Sequence, residues 1–232
     1  MPGATAARRR ALFLKHHEED DPGFVAAALA RRGFAVEVLR VEDGTPSVSL
    51  EGVEVLGILG SKWSVYDEAA VGDWIHVEFD AIREADRRGV AVLGICFGAQ
   101  ALCAALGGTV EPADRMELGW VDLEGAPDEG IPAGPWFQFH TDRCVVPEGA
   151  AVLARNDVCV QAFRIGPHLG VQFHPEIDAA QFARWLSAGA DEELAAAGLS
   201  AEELLEETAR HDADAAERVD RLVDGFLEGA AR

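Results

Sequence analysis

Short apolar runs alternate with stretches of helical spacing along the first half of the chain. Residues 11–14 are continuously apolar and predict a buried strand. Residues 24–32 predict a helix, with Pro22 and Gly23 at its start and Gly33 just past its end, the asymmetry expected of helix termini. Residues 35–39 and 53–59 predict two more strands, the second running into Gly60. Residues 74–88 carry Ile75, Phe79, Ile82 and Ala85 at helical intervals and stop at Gly89. Residues 90–95 are almost continuously apolar, as a strand inside a parallel sheet must be. A helix over 97–106 follows, closed by Gly107 and Gly108. This rhythm predicts an α/β fold of the flavodoxin-like, doubly wound kind with a mostly parallel sheet.

After residue 109 the texture changes. Short β-rich pieces at 118–123, 144–146, 151–154, 158–164 and 169–173 are separated by loops rich in Gly and Pro. They predict antiparallel hairpins added to the parallel core. Asp178 then opens a helix reaching Ser187, with Gln181 placed as a capping-box partner. Ser200 and Glu203 repeat that pattern. Val219, Leu222, Val223, Phe226 and Leu227 form one apolar stripe on a helix. The expected division is a catalytic-type domain over 1–188 and an acidic helical extension over 189–232. The stripe needs a cover, either its own domain or a second copy in a homodimer.

Charge narrows the partners. The 232 residues hold 41 acidic against 20 Lys and Arg side chains, a formal net charge of -21. Residues 191–232 alone carry 13 acidic and 4 basic side chains. Such a surface repels phosphate backbones and anionic bilayers, which excludes nucleic acid and membrane as expected partners. The five Trp residues lack interleaved basic residues that would make a base-stacking surface. No run of 18 apolar residues exists. The apolar stretch after the arginines at 8–10 is too short for a signal peptide core. Four cysteines without C-x-x-C spacing suggest neither a disulfide framework nor a metal site. A reducing, cytoplasmic setting is expected.

The chemistry concentrates at two places. Gly94-Ile95-Cys96-Phe97-Gly98 stands between a predicted strand and a predicted helix. It has the G-x-nucleophile-x-G pattern of a nucleophile elbow, here with cysteine. The tight turn lifts the thiol out of the sheet, and the helix N-terminus favours the thiolate. The Phe97 N–H is then placed to bond a developing oxyanion. His174-Pro175-Glu176 ends the last apolar run. A cysteine nucleophile needs a base, and the base needs an orienting acid. Residues two apart in extended backbone share a face, and Pro175 favours that backbone at His174. The cluster from His16 to Asp21 follows the first strand. Its side chains could hold a metal or read a substrate amine, but the stretch predicts a solvated loop. Cys103, Cys144 and Cys159 read as small core hydrophobes.

With these motifs the chain resembles the class I, triad-type glutamine amidotransferases. The matching stretches are residues 93–100, 105–110 and 170–176. Residues 60–67 and 137–142 fall where stand-alone members similar to the amidotransferase domain of GMP synthase carry characteristic loops. The resemblance implies that Cys96 attacks a glutamine carboxamide, His174 moves the proton and Glu176 holds the imidazole. It implies an oxyanion hole from Phe97 and from the loop Gly60-Ser61-Lys62, which departs from the family's Gly-Gly-Pro. It places Gln100 beside the substrate, with His140 and Asp142 in a nearby loop. It implies no metal and no organic cofactor. Ammonia would pass to a separate synthetase subunit, since too little chain follows the core to form one. Three alternatives remain at this stage. One is a γ-glutamyl peptidase using the same triad. Another is an α/β-hydrolase with a cysteine nucleophile, disfavoured because Glu176 follows His174. The third is a catalytically silent scaffold.

Overall fold

The computed structural model describes residues 9–42 and 44–231. Residues 1–8, with the first of the three arginines, and Arg232 in the tail lie outside the described residues. The apolar stretch too short for a leader core is the middle of β1 (Arg9–Lys15). Helix α1 (Gly23–Arg31), β2 (Phe34–Arg40) and β3 (Val53–Ile58) follow. Next come the one-turn α2 (Glu68–Val71), α3 (Trp74–Arg88), β4 (Ala91–Ile95) and α4 (Phe97–Ala105). Along β1, Ala11 and Phe13 enter one core while Leu12 and Leu14 enter another. In β4, Leu93 and Ile95 enter the first and Val92 the second. Side chains of a strand alternate between faces, so apolar residues on both require cover on both. Helices α3 and α4 supply one cover, and α1 belongs to the other.

The second half is β-rich. It comprises β5 (Thr109–Leu123), β6 (Gly134–Val145), β7 (Ala151–Arg155), β8 (Val160–Ile165) and β9 (His168–Val171). Among the described residues the main sheet has seven strands in the order β2-β1-β3-β4-β9-β8-β7. The first five are parallel, and β8 and β7 continue antiparallel from β9. The parallel core and the added hairpin are thus as expected. The ribbon of β5 and β6 is antiparallel, as expected, but longer than the pieces at 118–123 and 144–146. It forms a separate antiparallel pair, with Thr109 opposite Val145 and Leu123 opposite Gly134. Sequence periodicity marks only its ends, because buried positions such as Glu117, Gln138, His140 and Asp142 are polar.

Helix α5 (Ala179–Trp185) starts where predicted, with Asp178 accepting the Gln181 N–H at 2.6 Å. The reciprocal half of a capping box is absent. The Gln181 amide donates instead to the Glu19 carbonyl at 2.9 Å. A π-turn over Leu186–Ala190 leads into α6 (Asp191–Ala196) and then the 30-residue α7 (Ala201–Ala230). Ser200 caps α7 through the Glu203 N–H. The stripe Val219, Leu222, Val223 and Phe226 is fully buried against α1 and the sheet, with Leu227 half-buried. Arg31 of α1 and Arg32 just after it reach Asp220, and Arg32 also reaches Asp224. One chain therefore covers its own stripe. Among the described residues no helix is long and apolar enough to cross a membrane.

Phe226→Ala is expected to lower the unfolding free energy by about 3–5 kcal/mol, the range for a buried phenylalanine. Val38→Ala, at an exposed position, is expected to change it by no more than about 0.5 kcal/mol. Urea unfolding followed by circular dichroism checks both.

Candidate active site

Four neighbouring strands of the sheet end on one side: β1 at His16, β3 near Gly60, β4 at Cys96 and β9 near His174. This is the edge where open α/β sheets bind ligands. Cys96 has φ 51° and ψ −109°, and among the described residues it is the one non-glycine with positive φ. Such backbone costs on the order of 1–3 kcal/mol and persists where surroundings enforce it. Here the Cys96 N–H donates to the Val171 carbonyl at 2.8 Å, and the Cys96 carbonyl accepts the Gln100 N–H at 3.1 Å. A Cβ on Gly94 would lie 2.4 Å from the Gly98 oxygen, and one on Gly98 2.1 Å from the Ile58 oxygen. The elbow thus needs its two glycines for room. Phe97 opens α4, so its N–H has no acceptor within the helix and sits at the positive end of the dipole.

His174 is fixed from two directions. Its backbone N–H donates to the Phe137 carbonyl at 2.8 Å, and its Nδ1 donates to Glu176 Oε1 at 2.7 Å. Trp185 meets the ring edge-on at 5.1 Å. Nε2 is buried and, among the described residues, has no hydrogen-bond partner. Burial opposes charge on this imidazole, but the neighbouring Glu176 carboxylate outweighs it and holds its pKa well above the ordinary histidine value. A Cβ on Gly60 would lie 2.9 Å from His174 Cε1 and 3.8 Å from Cys96 Cβ. These three residues therefore meet at one point.

A cavity of about 330 Å³ opens over that point. Gly60, Ser61, Cys96, Gln100, His140, Asp142 and His174 all line it. Glu176 stands behind His174, and Phe97 follows Cys96 as the first residue of α4. Gln100 donates to Gln172 Oε1 at 3.4 Å. His140 and Asp142 lie on β6, a strand rather than the expected loop. The His140 ring contacts Glu117 Oε2 at 3.1 Å and the Asp142 carbonyl at 3.0 Å. Asp142 accepts the hydroxyls of Ser64 and Tyr66, the latter at 2.7 Å.

Several participants escape sequence reading. Trp185, Ala188, Gly189, Ala190 and Glu193 form another wall of the cavity. Gly189, at φ 114°, breaks the helix there. Behind the cavity, Glu117 accepts from Asn156 at 2.6 Å and Gln161 at 2.7 Å. Glu117, His140 and Cys159 have ligand atoms within 4.8 Å of one another, spacing that suits a metal. In this arrangement Glu117 already serves the amides and His140, while burial and Glu117 push the Cys159 thiol up to about 12. The other two cysteines outside the elbow, Cys103 and Cys144, are buried as expected. His16 is not part of a solvated loop. It is buried, with Glu78 at 2.8 Å and the Gly60 carbonyl at 2.9 Å. The available signal is Glu78 itself, an acid on the apolar face of α3 with Trp74, Ile75 and Ile82.

Known proteins share this fold. The profile of the family described as "Glutamine amidotransferase class-I" matches residues 24–189. A glutamine-hydrolyzing GMP synthase from Porphyromonas gingivalis is 38% identical over 138 residues, covering 55% of this chain and 26% of that protein. The chain thus spans about a quarter of that relative's length. One subunit of the glutamine-hydrolyzing GMP synthase from Methanosarcina barkeri is 35% identical over 157 residues, covering 64% of this chain and 78% of that one. The crystal structure of a glutamine amidotransferase from Thermotoga maritima superposes with a TM-score of 0.86 at 26% identity, over 96% of this chain and 99% of that chain. The family match over residues 24–189 and the shared fold agree, and the chain belongs to the class-I glutamine amidotransferase family.

Proposed function

We propose that the protein hydrolyses the side-chain amide of glutamine through Cys96 and releases ammonia for an acceptor on another chain. The observation that carries this reading is the convergence of strained Cys96, His174 with its Glu176 partner, and Gly60 at the floor of one cavity. Cys96 Sγ attacks the carboxamide carbon, and the oxyanion forms against the Phe97 N–H and the Gly60-Ser61 loop. The thiol proton passes to His174 Nε2. The same nitrogen protonates the departing amine, so ammonia leaves and a γ-glutamyl thioester remains. Water deprotonated by His174 cleaves the thioester and gives glutamate. Glu176 accepts from Nδ1–H throughout, which fixes the tautomer that presents Nε2. Gln100 and the braced His140 and Asp142 border the substrate. None of these steps calls for a metal or an organic cofactor.

Residues 1–188 would form the catalytic domain, and 189–232 an acidic extension that also closes the cavity through Gly189, Ala190 and Glu193. The Methanosarcina barkeri relative is named as one subunit of its GMP synthase, which supports an ammonia acceptor on a separate chain. Four free, buried thiols suit a reducing compartment, the cytoplasm. The first product separates glutamine from a γ-glutamyl peptide or conjugate: ammonia in one case, an amine in the other. A silent scaffold would release neither.

Cys96→Ala is expected to abolish glutamate release from glutamine, and Cys103→Ala to retain it. An electrophilic glutamine analogue followed by peptide mass mapping should label Cys96; labelling mainly at Cys103, Cys144 or Cys159 would reject the assignment. His174→Ala is expected to lower the rate by roughly 10²–10⁴-fold, the span of acid–base catalysis, and Glu176→Gln by less. The Glu176 carboxylate raises the His174 pKa. Without that charge the ring loses its proton at lower pH, so the alkaline limb of the pH–rate profile should move down in Glu176→Gln. An unmoved limb would show that the carboxylate does not hold the imidazolium.

A further inference from the structure

His16 and Glu78 lie outside the catalytic steps above, yet both are almost wholly buried next to them. Their side chains are 62 residues apart in sequence and 2.8 Å apart in space. The imidazole is packed between rings, with Phe97 edge-on at 4.8 Å and Trp74 at 5.1 Å. Its two nitrogens face two acceptors: Nδ1 faces the Gly60 carbonyl and Nε2 faces Glu78 Oε2. A carbonyl oxygen never donates, so Nδ1 must carry a proton. An ionised carboxylate does not donate either, so a proton also lies between Nε2 and Oε2. His16 is thus a donor locked onto Gly60, anchored from behind by Glu78. Asp20, on the loop after β1, accepts the His17 N–H at 2.9 Å and the His16 N–H at 3.4 Å, which ties down the backbone carrying the ring.

The direction of that bond matters. In a planar trans peptide the C=O of one residue and the N–H of the next point opposite ways, and no cis bond occurs among the described residues. His16 pulls the Gly60 carbonyl into the interior. The Ser61 N–H of the same peptide is thereby turned away from His16, and Gly60 and Ser61 both line the cavity beside Cys96. We propose that His16 and Glu78 are positioning residues for the oxyanion hole, clamping the Gly60–Ser61 peptide so that the Ser61 N–H faces the cavity. The loop here reads Gly60-Ser61-Lys62 and has no proline to stiffen it; the buried pair supplies the rigidity instead. The same ring rests on the side chain of Phe97, whose N–H is the opposite donor. One imidazole therefore sets both halves of the hole. This rests on the amidohydrolase reading and adds to it the residues that aim the second donor.

The test compares His16→Phe, His16→Asn and wild type in the full chain. Turnover of glutamine and of γ-glutamyl-p-nitroanilide reports the oxyanion step. Alkylation of Cys96 by iodoacetamide, which forms no oxyanion, reports the thiolate. Phenylalanine keeps the ring packing and removes the donor, so kcat is expected to fall roughly 100-fold, as for a misaimed oxyanion donor, with KM and the alkylation rate nearly unchanged. Asparagine places an amide near the position of Nδ1 and should recover much of that loss. Should His16→Phe fail to fold, Glu78→Leu and Glu78→Gln take its place. Leucine leaves the ring unanchored and lowers kcat, whereas the glutamine amide can donate to Nε2 while Nδ1–H stays on Gly60. Unchanged kcat in the folded variants, or an equal fall in alkylation, would overturn the clamp. Absence of wild-type turnover on both substrates would overturn the amidohydrolase reading itself.

Discussion

Backbone crowding at one turn sets the terms for the whole site. Between β4 and α4 the chain passes so close to itself and to β3 that side chains at positions 94 and 98 have no room. That crowding allows α4 to begin directly under the sheet edge, with its first N–H groups beside the thiol. Everything else is arranged around this fixed point. Parallel neighbours in a sheet lie about 4.7–4.9 Å apart, so the ends of β3 and β9, flanking β4, arrive within reach of Cys96 without long loops. Gly60 and His174 lie just past the ends of those two strands. Their closeness, with no space for a Cβ at residue 60, is the same crowding carried one strand further on each side.

Around the sulfur the protein builds a rigid polar frame rather than an apolar one. Glu117 gathers His140, Asn156 and Gln161, Asp142 gathers Ser64 and Tyr66, and Glu78 gathers His16. Buried carboxylates are costly unless paired; Glu117 and Asp142 each accept from several donors on distant elements, and Glu78 holds His16 through one oxygen, Oε2. Such networks tolerate few alternative arrangements, because moving one member strands another. The frame therefore holds the cavity's shape. The β5–β6 ribbon, which contributes Glu117, His140 and Asp142, acts as a wall of that frame.

The sequence makes legible what periodicity and local motifs encode. Strands β1, β3 and β4 are buried on both faces and appear as apolar runs; α3 shows its stripe and its terminal glycine. The elbow and the His174–Glu176 pair are visible because their partners are neighbours in sequence. The ribbon is hidden because its inward positions are polar, which erases the alternation a strand ordinarily shows. His16 reads as solvated because its partner stands 62 positions away; a charged residue on the apolar face of α3 is the one trace it leaves. The wall from Trp185 to Glu193 has no motif at all, since it is placed by the packing of α5 and α6 against α7.

The strained backbone at Cys96 has a consequence for how this protein stands toward its own chemistry. Positive φ at this turn suits glycine and burdens every other residue by on the order of 1–3 kcal/mol. A chain retained merely as a scaffold would gain firmness by surrendering the thiol for a hydrogen at that position. This one withholds that stability from itself, at the very residue where the sheet, the helix and the cavity meet. If Cys96 is the nucleophile proposed above, the unclaimed stability sets activity and robustness in opposition at a single Cα.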